Sequence, residues 1–199
     1  MAGVDTVVTT ANAIGRLLAG PTDLSIDAVD RDGNANLVHA AERAGVRRFV
    51  FVSAAGGEGM ARSAPFAAAK HATEELLRSS SLPAVIVRAE MFQEVLAGRL
   101  GGFDAEAGRA QIFGRGRTPH RYVAVDDVAA LTAHLAVAPD PPAVVEVGGP
   151  EAGMALHGDT EEFATTDAPL REAGIEPRPV SAYVRSEVSR LVPARGAGG

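Results

Sequence analysis

The chain has 199 residues, of which 46% are hydrophobic and 22% charged, a balance typical of one globular domain with a substantial core. It contains no cysteine, which excludes disulfides, thiolate metal sites and cysteine nucleophiles. The formal net charge of −6 argues against nucleic acid or an anionic membrane as a partner, and no apolar run approaches the ~18 residues of a membrane span, so a soluble cytoplasmic protein is expected.

The first part of the chain contains two predicted strands with a helix between them. A strand over 4–10 is indicated by its β-branched residues, whereas 13–30 shows no clear period. A helix is expected to begin at Asp30 and to end at Gly45, a good C-cap. Its buried face is expected to consist of Asn34, Leu37, Val38, Ala40, Ala41 and Ala44. The second strand, 49–52, has no polar face, which predicts burial on both sides in a parallel sheet.

Two side chains that follow the second strand are candidates for chemistry. Ser53 ends the strand before a Gly-rich turn, and open α/β sheets bind ligands at the carboxyl ends of their strands. The alternative is a serine that simply ends a strand. Lys70, seventeen residues later, is expected in the first turn of a helix that runs to Leu77. There a ligand role competes with that of an ordinary solvated lysine.

The second part of the chain is predicted to continue with strands and helices. The strands are expected at 82–88, 111–117, 122–125 and 144–147, with the first and the last of them buried, and the helices at 91–99, 128–137 and 180–192. Asp126 or Asp127 is expected to cap the second of these helices. The five histidines show no metal-ligand spacing, so no metal site is predicted. A small basic patch over 114–121 is interpreted as a solvated hairpin or as a contact for an acidic group.

Four segments carry a family resemblance, in order along the chain. They are 30–54, which includes Ala-Gly-Val-Arg-Arg-Phe-Val-Phe-Val-Ser, then Lys70-x-x-x-Glu74, then 122–129, and finally 145–151. Together they make the chain resemble the atypical short-chain dehydrogenase/reductases, and within them the NmrA-like, NAD(P)H-binding branch. The resemblance extends over about residues 3–151. It implies a three-layer α/β fold built on a Rossmann-type parallel sheet.

The resemblance also implies domain boundaries. Residues 1–151 would be the C-terminal part of an NAD(P)-binding Rossmann-like domain, 152–192 a divergent region with a closing helix, and 193–199 a disordered tail. Family members begin with a strand and a Gly-rich turn that holds the cofactor pyrophosphate, and the sequence contains no such segment. The chain is therefore expected to be truncated, with the first βαβαβ half missing. Strand 4–10 would then be an exposed edge through which two copies could associate.

A site for NADP or NAD follows from the same resemblance. The residues that it places there are Thr10, Ala11, Asn12, Ser53, Lys70, Ala89, Met91 and Phe92. Ser53 and Lys70 are also the candidate catalytic residues. Reductases of the superfamily use Tyr-x-x-x-Lys, and Phe66 occupies the tyrosine position here, which excludes acid catalysis by that residue.

The expected function is that of an NAD(P)-dependent oxidoreductase-like protein acting on an unidentified small substrate. Phe66 and the missing Gly-rich turn leave two alternatives open. One is a non-catalytic protein that senses NAD(P)H or regulates through binding it, and the other is an inactive fragment.

Overall fold

The structure is a computed structural model that describes most of the chain. The described residues are 3–62, 64–95, 103–104, 107–112, 116, 118–152 and 165–191. The chain divides into two compact units, and each is described by itself. The first unit comprises Met1–Arg88 with Thr132–Val145, and the second comprises Ala89–Leu131 with Glu146–Gly199. The boundaries expected at 151 and 192 stay predictions, and the expected tail 193–199 lies outside the described residues.

Four strands form one sheet in the order β1-β2-β3-β6. They are β1 (Thr6–Thr9), β2 (Arg48–Ala54), β3 (Ala84–Ala89) and β6 (Val144–Val147). β1 pairs with β2 in parallel, with Val8 opposite Val50. This is a Rossmann-like parallel α/β sheet, and the predicted fold class is confirmed to that extent. A separate antiparallel pair joins β4 (Phe103–Asp104) to β5 (Arg109–Ala110).

The helices lie between these strands and after them. They are α1 (Ile14–Leu18), α2 (Asn34–Ala44), α3 (Gly57–Ala61), α4 (Pro65–Ser79), α5 (Val125–Val137), α6 (Ala168–Glu172) and α7 (Val180–Leu191). A π-helical segment, Asp27–Gly33, leads directly into α2, and a 3-10 turn spans Gln93–Val95. Within the described ranges, no helix is long and apolar enough to cross a membrane.

α2 confirms most of its predicted features. Gly45 ends the helix with a φ of 63°, in the left-handed conformation that glycine adopts most readily. Val38 and Ala41 are fully buried, but Ala44 is exposed, so its predicted burial was wrong. Leu37 and Ala40 of the predicted face are half-buried. The core that this face joins consists of Val38, Ala41, Val46, Phe49, Phe51, Leu77, Leu82 and Ile86.

Two of the predicted strands differ in their burial. β2 is buried along 49–53, as its apolar run predicts. β6 alternates instead, with Val145 and Val147 buried but Val144 and Glu146 exposed, so the expectation of a strand buried on both faces was wrong. β6 ends the strand order of its sheet, and alternation of this kind indicates a strand that is covered on one face.

Several predicted element bounds were also wrong. α4 begins at Pro65, so Lys70 is its sixth residue and does not lie in the first turn. Proline is well suited to the first position of a helix, where its missing N–H has no partner to lose. The expected strand 122–125 is reduced to one bridge between Val123 and Phe92. Asp126 and Asp127 lie inside the first turn of α5 and do not cap it.

Two further predicted elements fall partly on residues outside the described ranges. Of the helix expected at 91–99, the described part is the 3-10 turn, and 96–99 lie outside. Of the strand expected at 111–117, Gln111 and Ile112 are described and are not in a strand. Residues 113–115 and 117 lie outside.

A close approach of two backbone segments explains one glycine of the family motif. The Gly149 N–H donates to the carbonyl of Arg121 over 2.9 Å. A Cβ at position 149 would lie 2.1 Å from the carbonyl oxygen of Tyr122, which is shorter than any allowed contact. Only glycine fits there without moving the backbone.

Val8→Lys is expected to abolish self-association through β1. Among the described strands β1 pairs with β2 alone, and Val4 and Val8 are 42% and 46% exposed. A charge on an edge strand opposes pairing with a second copy. Light scattering across a range of concentrations would measure the association. Leu24→Lys, at an equally exposed loop position, is the control, and a wild-type chain that is monomeric throughout would contradict the prediction.

Candidate functional site

The candidate site lies in the first unit, where β2 ends beside α4. A shallow, solvent-open depression is lined by Ser53, Ala54, Ala55, Ala67, Lys70, His71 and Glu74. Ser53 is the penultimate residue of β2 and is 5% exposed. Its hydroxyl is buried and makes no hydrogen bond within the described part of the chain. A buried hydroxyl without a partner is costly, so it is well suited to bind a ligand.

Lys70 connects two strand ends. Its ε-amino group donates to the carbonyl of Val52 over 3.1 Å and, more weakly, to the carbonyl of Ala11 over 3.5 Å. Val52 belongs to β2, and Ala11 lies in the loop after β1. With 4% of its surface exposed, Lys70 is buried, so the alternative of a solvated lysine was wrong. Lys70 thus joins Ala11 and the end of β2, two of the predicted site segments.

Two aromatic rings flank the Lys70 amine. The centroid of the Phe51 ring lies 4.9 Å from Nζ, and that of Phe66 lies 5.5 Å away. Ring faces attract a cation, so they offset part of the cost of burying the charge. Phe66 stands one helical turn before Lys70, where its ring contacts the amine but offers no proton.

Burial changes the titration of Lys70. Removal from water lowers the pKa of its amine to about 8, and the negative charge of Asp30 acts in the opposite direction and raises it. The amine therefore gains and loses its proton close to neutral pH. General acid–base chemistry favours groups of this kind.

Asp30 is a site residue that the sequence analysis missed, since it was interpreted only as a helix start. It lies in the π-helical segment and is fully buried. Oδ2 accepts the N–H of Ala13 over 2.9 Å, whereas Oδ1 is buried and accepts no hydrogen bond among the described groups. Burial raises the pKa of Asp30, while the Ala13 N–H and the Lys70 charge lower it. The missed signal is the apolar stripe of α2, which reaches Asp30 when it is extended one turn back from Asn34.

Asn34 fixes the loop that follows β1. Its Oδ1 accepts the hydroxyl of Thr9 over 3.1 Å, and its Nδ2 donates to the carbonyls of Ala11 and Asp30 over 3.3 and 3.0 Å. The Ala11 carbonyl is therefore shared between Asn34 and Lys70. Asn34 was predicted to be buried, and its role in holding this loop explains why an amide is buried there.

The three predicted cofactor residues of this loop make different contacts. Thr10, Ala11 and Asn12 are all exposed. Asn12 closes a local turn, because its Oδ1 accepts the N–H of Ile14 and its Nδ2 donates to the carbonyl of Thr10, both over 3.1 Å. Of the three residues, Ala11 is brought to Lys70 by a hydrogen bond.

Glu74 joins α4 to β3. Its side chain is 3% exposed, and its Oε2 accepts hydrogen bonds of 2.7 Å from both Arg88 and Arg78. Burial alone would raise the pKa of Glu74, but the hydrogen bonds from Arg88, and the Ser53 hydroxyl that lies near the carboxylate without a hydrogen bond to it, bring the pKa below its usual value. The carboxylate is thus held in its ionised form. The spacing of Glu74 from Lys70 was a sequence signal, but its pairing with Arg88 was not predicted, since Arg88 lies in β3.

Lys70 is the only lysine in the chain. The sequence has 19 basic residues in total, and all the others are arginine. An arginine side chain stays charged at any working pH, whereas a buried lysine can shift its pKa and release its proton. The presence of one lysine among 19 basic residues therefore marks Lys70 as a candidate for acid–base chemistry, and the composition alone could have given this signal.

The remaining predicted residues belong to the second unit. Ala89 is the buried last residue of β3. Met91 is half-buried and packs against Tyr122 together with side chains of α7. Phe92 is half-buried, and its backbone bridges to Val123. Their roles toward a cofactor stay predictions.

A buried carboxylate anchors this second unit. Oε1 of Glu90 accepts the Arg121 N–H over 2.8 Å and lies 2.9 Å from Nδ1 of His120, and Oε2 accepts the Thr165 hydroxyl. No role was predicted for the Glu90 carboxylate. His120 was predicted to belong to a basic patch with Arg121, but His120 is buried, so the interpretation as a solvated hairpin was wrong for it. Arg121 donates to the carbonyl of Gly149. Residues 114, 115 and 117 of the patch lie outside the described ranges.

Metal ligands are not clustered in the described ranges. There, no group of three or more His, Asp or Glu side chains could hold a metal ion. The polar groups that line the depression are the serine hydroxyl, the lysine amine, and the side chains of His71 and Glu74.

Comparisons with known proteins extend these findings. A family model described as NAD(P)H-binding matches residues 1–139, and no curated protein matches the chain. UDP-glucuronic acid 4-epimerase from Bacillus cereus, in complex with UDP-glucuronic acid and NAD, is 16% identical with a TM-score of 0.67, over 94% of this chain and 75% of that one. UDP-glucose 4-epimerase from Thermotoga maritima, with UDP-glucose, is 17% identical and has a TM-score of 0.62. The match covers 92% of this chain and 78% of the epimerase. NADPH-dependent quinone oxidoreductase QOR2 from Escherichia coli, with NADPH, is 21% identical and has a TM-score of 0.56. The match covers 77% of this chain and 49% of the oxidoreductase. At these identities the likeness shows the fold.

Proposed function

Because the chain belongs to the NAD(P)H-binding family, in the NmrA-like branch of the atypical short-chain dehydrogenase/reductases, we propose that it binds NADP(H) or NAD(H) beside Ser53 and Lys70. It would act as an oxidoreductase-like protein on an unidentified small substrate. One observation carries the proposal, namely the buried Lys70 amine held between the Ala11 and Val52 carbonyls next to an unpartnered Ser53 hydroxyl.

The donors at the depression suit the hydroxyl groups of a ribose. An ammonium group has three N–H donors, and the described contacts of Lys70 use two of them. The third is available to a ligand hydroxyl, as is the hydroxyl of Ser53. When bound, the nicotinamide cofactor would supply the hydride of the reaction.

The division of roles follows from what each side chain can do. Ser53 can donate to a substrate oxygen. Lys70, with a pKa of about 8, can hold a ribose hydroxyl and exchange a proton near neutral pH. By family resemblance, Thr10, Ala11 and Asn12 are proposed to complete the cofactor site within the first unit. A cofactor role is proposed separately, on the same resemblance, for Ala89, Met91 and Phe92 of the second unit.

The next question is which half of the cofactor the described site recognises. The sequence contains no G-x-G-x-x-G pattern, the element that holds the pyrophosphate in Rossmann folds. Because Ser53 and Lys70 suit ribose hydroxyls, we propose that the described site recognises the nicotinamide riboside half of the cofactor. Reduced nicotinamide mononucleotide is expected to bind nearly as tightly as NADPH.

Phe66 favours a second candidate function. Its ring contacts the Lys70 amine in the place from which a tyrosine would give a proton. A site that binds NAD(P)H without this acid suits a protein that senses the reduced cofactor. Cofactor binding without turnover on any carbonyl substrate would support this second function.

Lys70→Met is expected to weaken NAD(P)H binding by roughly 10- to 100-fold, because a hydrogen bond to a charged group contributes about 1.5–3 kcal/mol. Nicotinamide fluorescence would measure the dissociation constants for NADPH and NADH. The wild type should also be stabilised by ~2.7 kcal/mol at 100 times the dissociation constant. Arg31→Met, which removes an exposed cation from the same unit, is the control. A cooperative melt whose midpoint neither cofactor shifts would refute the proposal for this chain. The inactive fragment would then be the remaining alternative.

A further inference from the structure

The backbone around Asp30 holds its side chain in one place. The carbonyl of Asp30 accepts a hydrogen bond of 3.0 Å from Asn34 and one of 3.4 Å from the Thr73 hydroxyl of α4. π-Helical segments are rare and occur frequently at functional sites. Asp30 is therefore fixed against the helix that carries Lys70.

The Asp30 carboxylate is only partly satisfied by neutral donors. Oδ2 accepts the N–H of Ala13, and the buried Oδ1 accepts no hydrogen bond within the described ranges. A buried carboxylate costs several kcal/mol unless a positive charge compensates it. Of the charged groups, Lys70 is the one that lowers the pKa of Asp30.

Other charges near Lys70 are engaged elsewhere. On α4 itself, His71 and Glu74 line the same depression, and the Glu74 carboxylate is bound by Arg88 of β3 and by Arg78. In the π-helical segment, Asp27 and Arg31 pair with each other at the surface, and Asp32 is exposed. Asn34 donates both to the carbonyl of Asp30 and to the carbonyl of Ala11 that Lys70 also binds, so Asp30 and Lys70 belong to one buried cluster.

We propose that Asp30 is a positioning residue that keeps the Lys70 amine protonated and directed at the depression, so that a buried carboxylate sets the charge offered to the cofactor ribose. This inference rests on the proposed function for its ligand. The electrostatic coupling between the two side chains can be measured without any ligand.

The single lysine makes the test direct. Growth with ¹³C-labelled lysine gives one ε-methylene resonance, which reports the protonation of Lys70 in the intact chain. In the wild type its midpoint is expected near pH 8. Asp30→Asn should move the midpoint down by roughly one pH unit, because the Asp30 charge raises the pKa of Lys70 and the loss of one opposite charge shifts a pKa by this order. Asp30→Glu should keep the midpoint close to that of the wild type. Asp32→Asn, which changes an exposed acid of the same segment, should leave the midpoint unchanged.

Cofactor affinity should show the same pH dependence. Relative to the wild type, Asp30→Asn is expected to bind NADPH about threefold more weakly at pH 7.5, and almost equally well at pH 6, where the amine is protonated in both proteins. A variant that only loosened the fold would weaken binding at both pH values. Equal weakening at both would therefore contradict the positioning role.

The outcomes separate this inference from the proposed function. An unchanged Lys70 midpoint in folded Asp30→Asn overturns the inference, even if NADPH binds. A lowered midpoint in a chain whose wild type binds no cofactor supports the coupling and refutes the proposed function. If Asp30→Asn does not fold, the wild-type resonance decides, since it should show a second, smaller inflection at acid pH where Asp30 takes up its proton. A single inflection would overturn the inference.

Discussion

Replacing Glu74 by alanine is expected to lower the free energy of unfolding by about 3–5 kcal/mol, the usual cost of removing one partner from a buried ion pair. The carboxylate is 3% exposed and receives hydrogen bonds from Arg88, which is 19% exposed, and from Arg78. Without it, the half-buried Arg88 guanidinium loses its ion pair and its hydrogen bonds to α4. A chain whose total stability is about 5–15 kcal/mol would lose a large fraction of it.

Urea denaturation followed by circular dichroism would measure this loss. Arg78→Ala is the matched comparison, because it removes the other cation of the cluster, which is 37% exposed. A partly exposed pair contributes at most about 1 kcal/mol, so this variant should be nearly as stable as the wild type. Equal losses for the two variants would mean that burial does not decide the strength of these pairs.

The free energy of unfolding is expected to rise between about pH 8 and pH 10.5, and Lys70 is the cause. Burial lowers the pKa of the amine from 10.5 to about 8 in the folded chain. Between these values the unfolded chain binds a proton that the folded chain has released, so stability increases with pH. Below pH 8 both states are protonated, and the folded state carries the full cost of the buried charge. The whole change amounts to about 3 kcal/mol.

Lys70→Met isolates this contribution. The variant lacks the titrating amine, so its stability should change much less over the same range. The two tyrosines titrate in both proteins and cancel in the comparison, and no cysteine interferes. Urea midpoints at pH 7, 8, 9 and 10 would give both curves. Parallel curves would show that the folded-state pKa of Lys70 is not depressed.

Local patterns explain which parts of the fold could be predicted. The four apolar residues of 49–52 and the glycine at 45 carry their structural signal within a few positions, and both predictions are confirmed. The run 122–125 is equally apolar, but short apolar segments do not separate strand from other buried structure. There the helix α5 begins instead at Val125. The start of α4 was missed because Pro65 was not used as a helix signal.

The candidate site was only partly predictable for a different reason. Ser53 and Lys70 could be named because strand ends and a family motif mark their positions. The partners of Lys70 are backbone carbonyls at Ala11 and Val52, and a carbonyl has no sequence signature. Asp30 lies 40 positions before Lys70 in the chain, among charged residues that are exposed, so only the folded chain shows that it is buried.

Lys70 also provides a chemical probe of local opening around the site. Acylating reagents need an accessible amine, and the only lysine side chain here is 4% exposed. Acylation of that amine requires Nζ to leave the Val52 carbonyl, a contact that joins α4 to β2. The rate at which one peptide gains the mass of one acyl group therefore reports how often this contact opens. A bound ligand that holds the two elements together would slow this reaction.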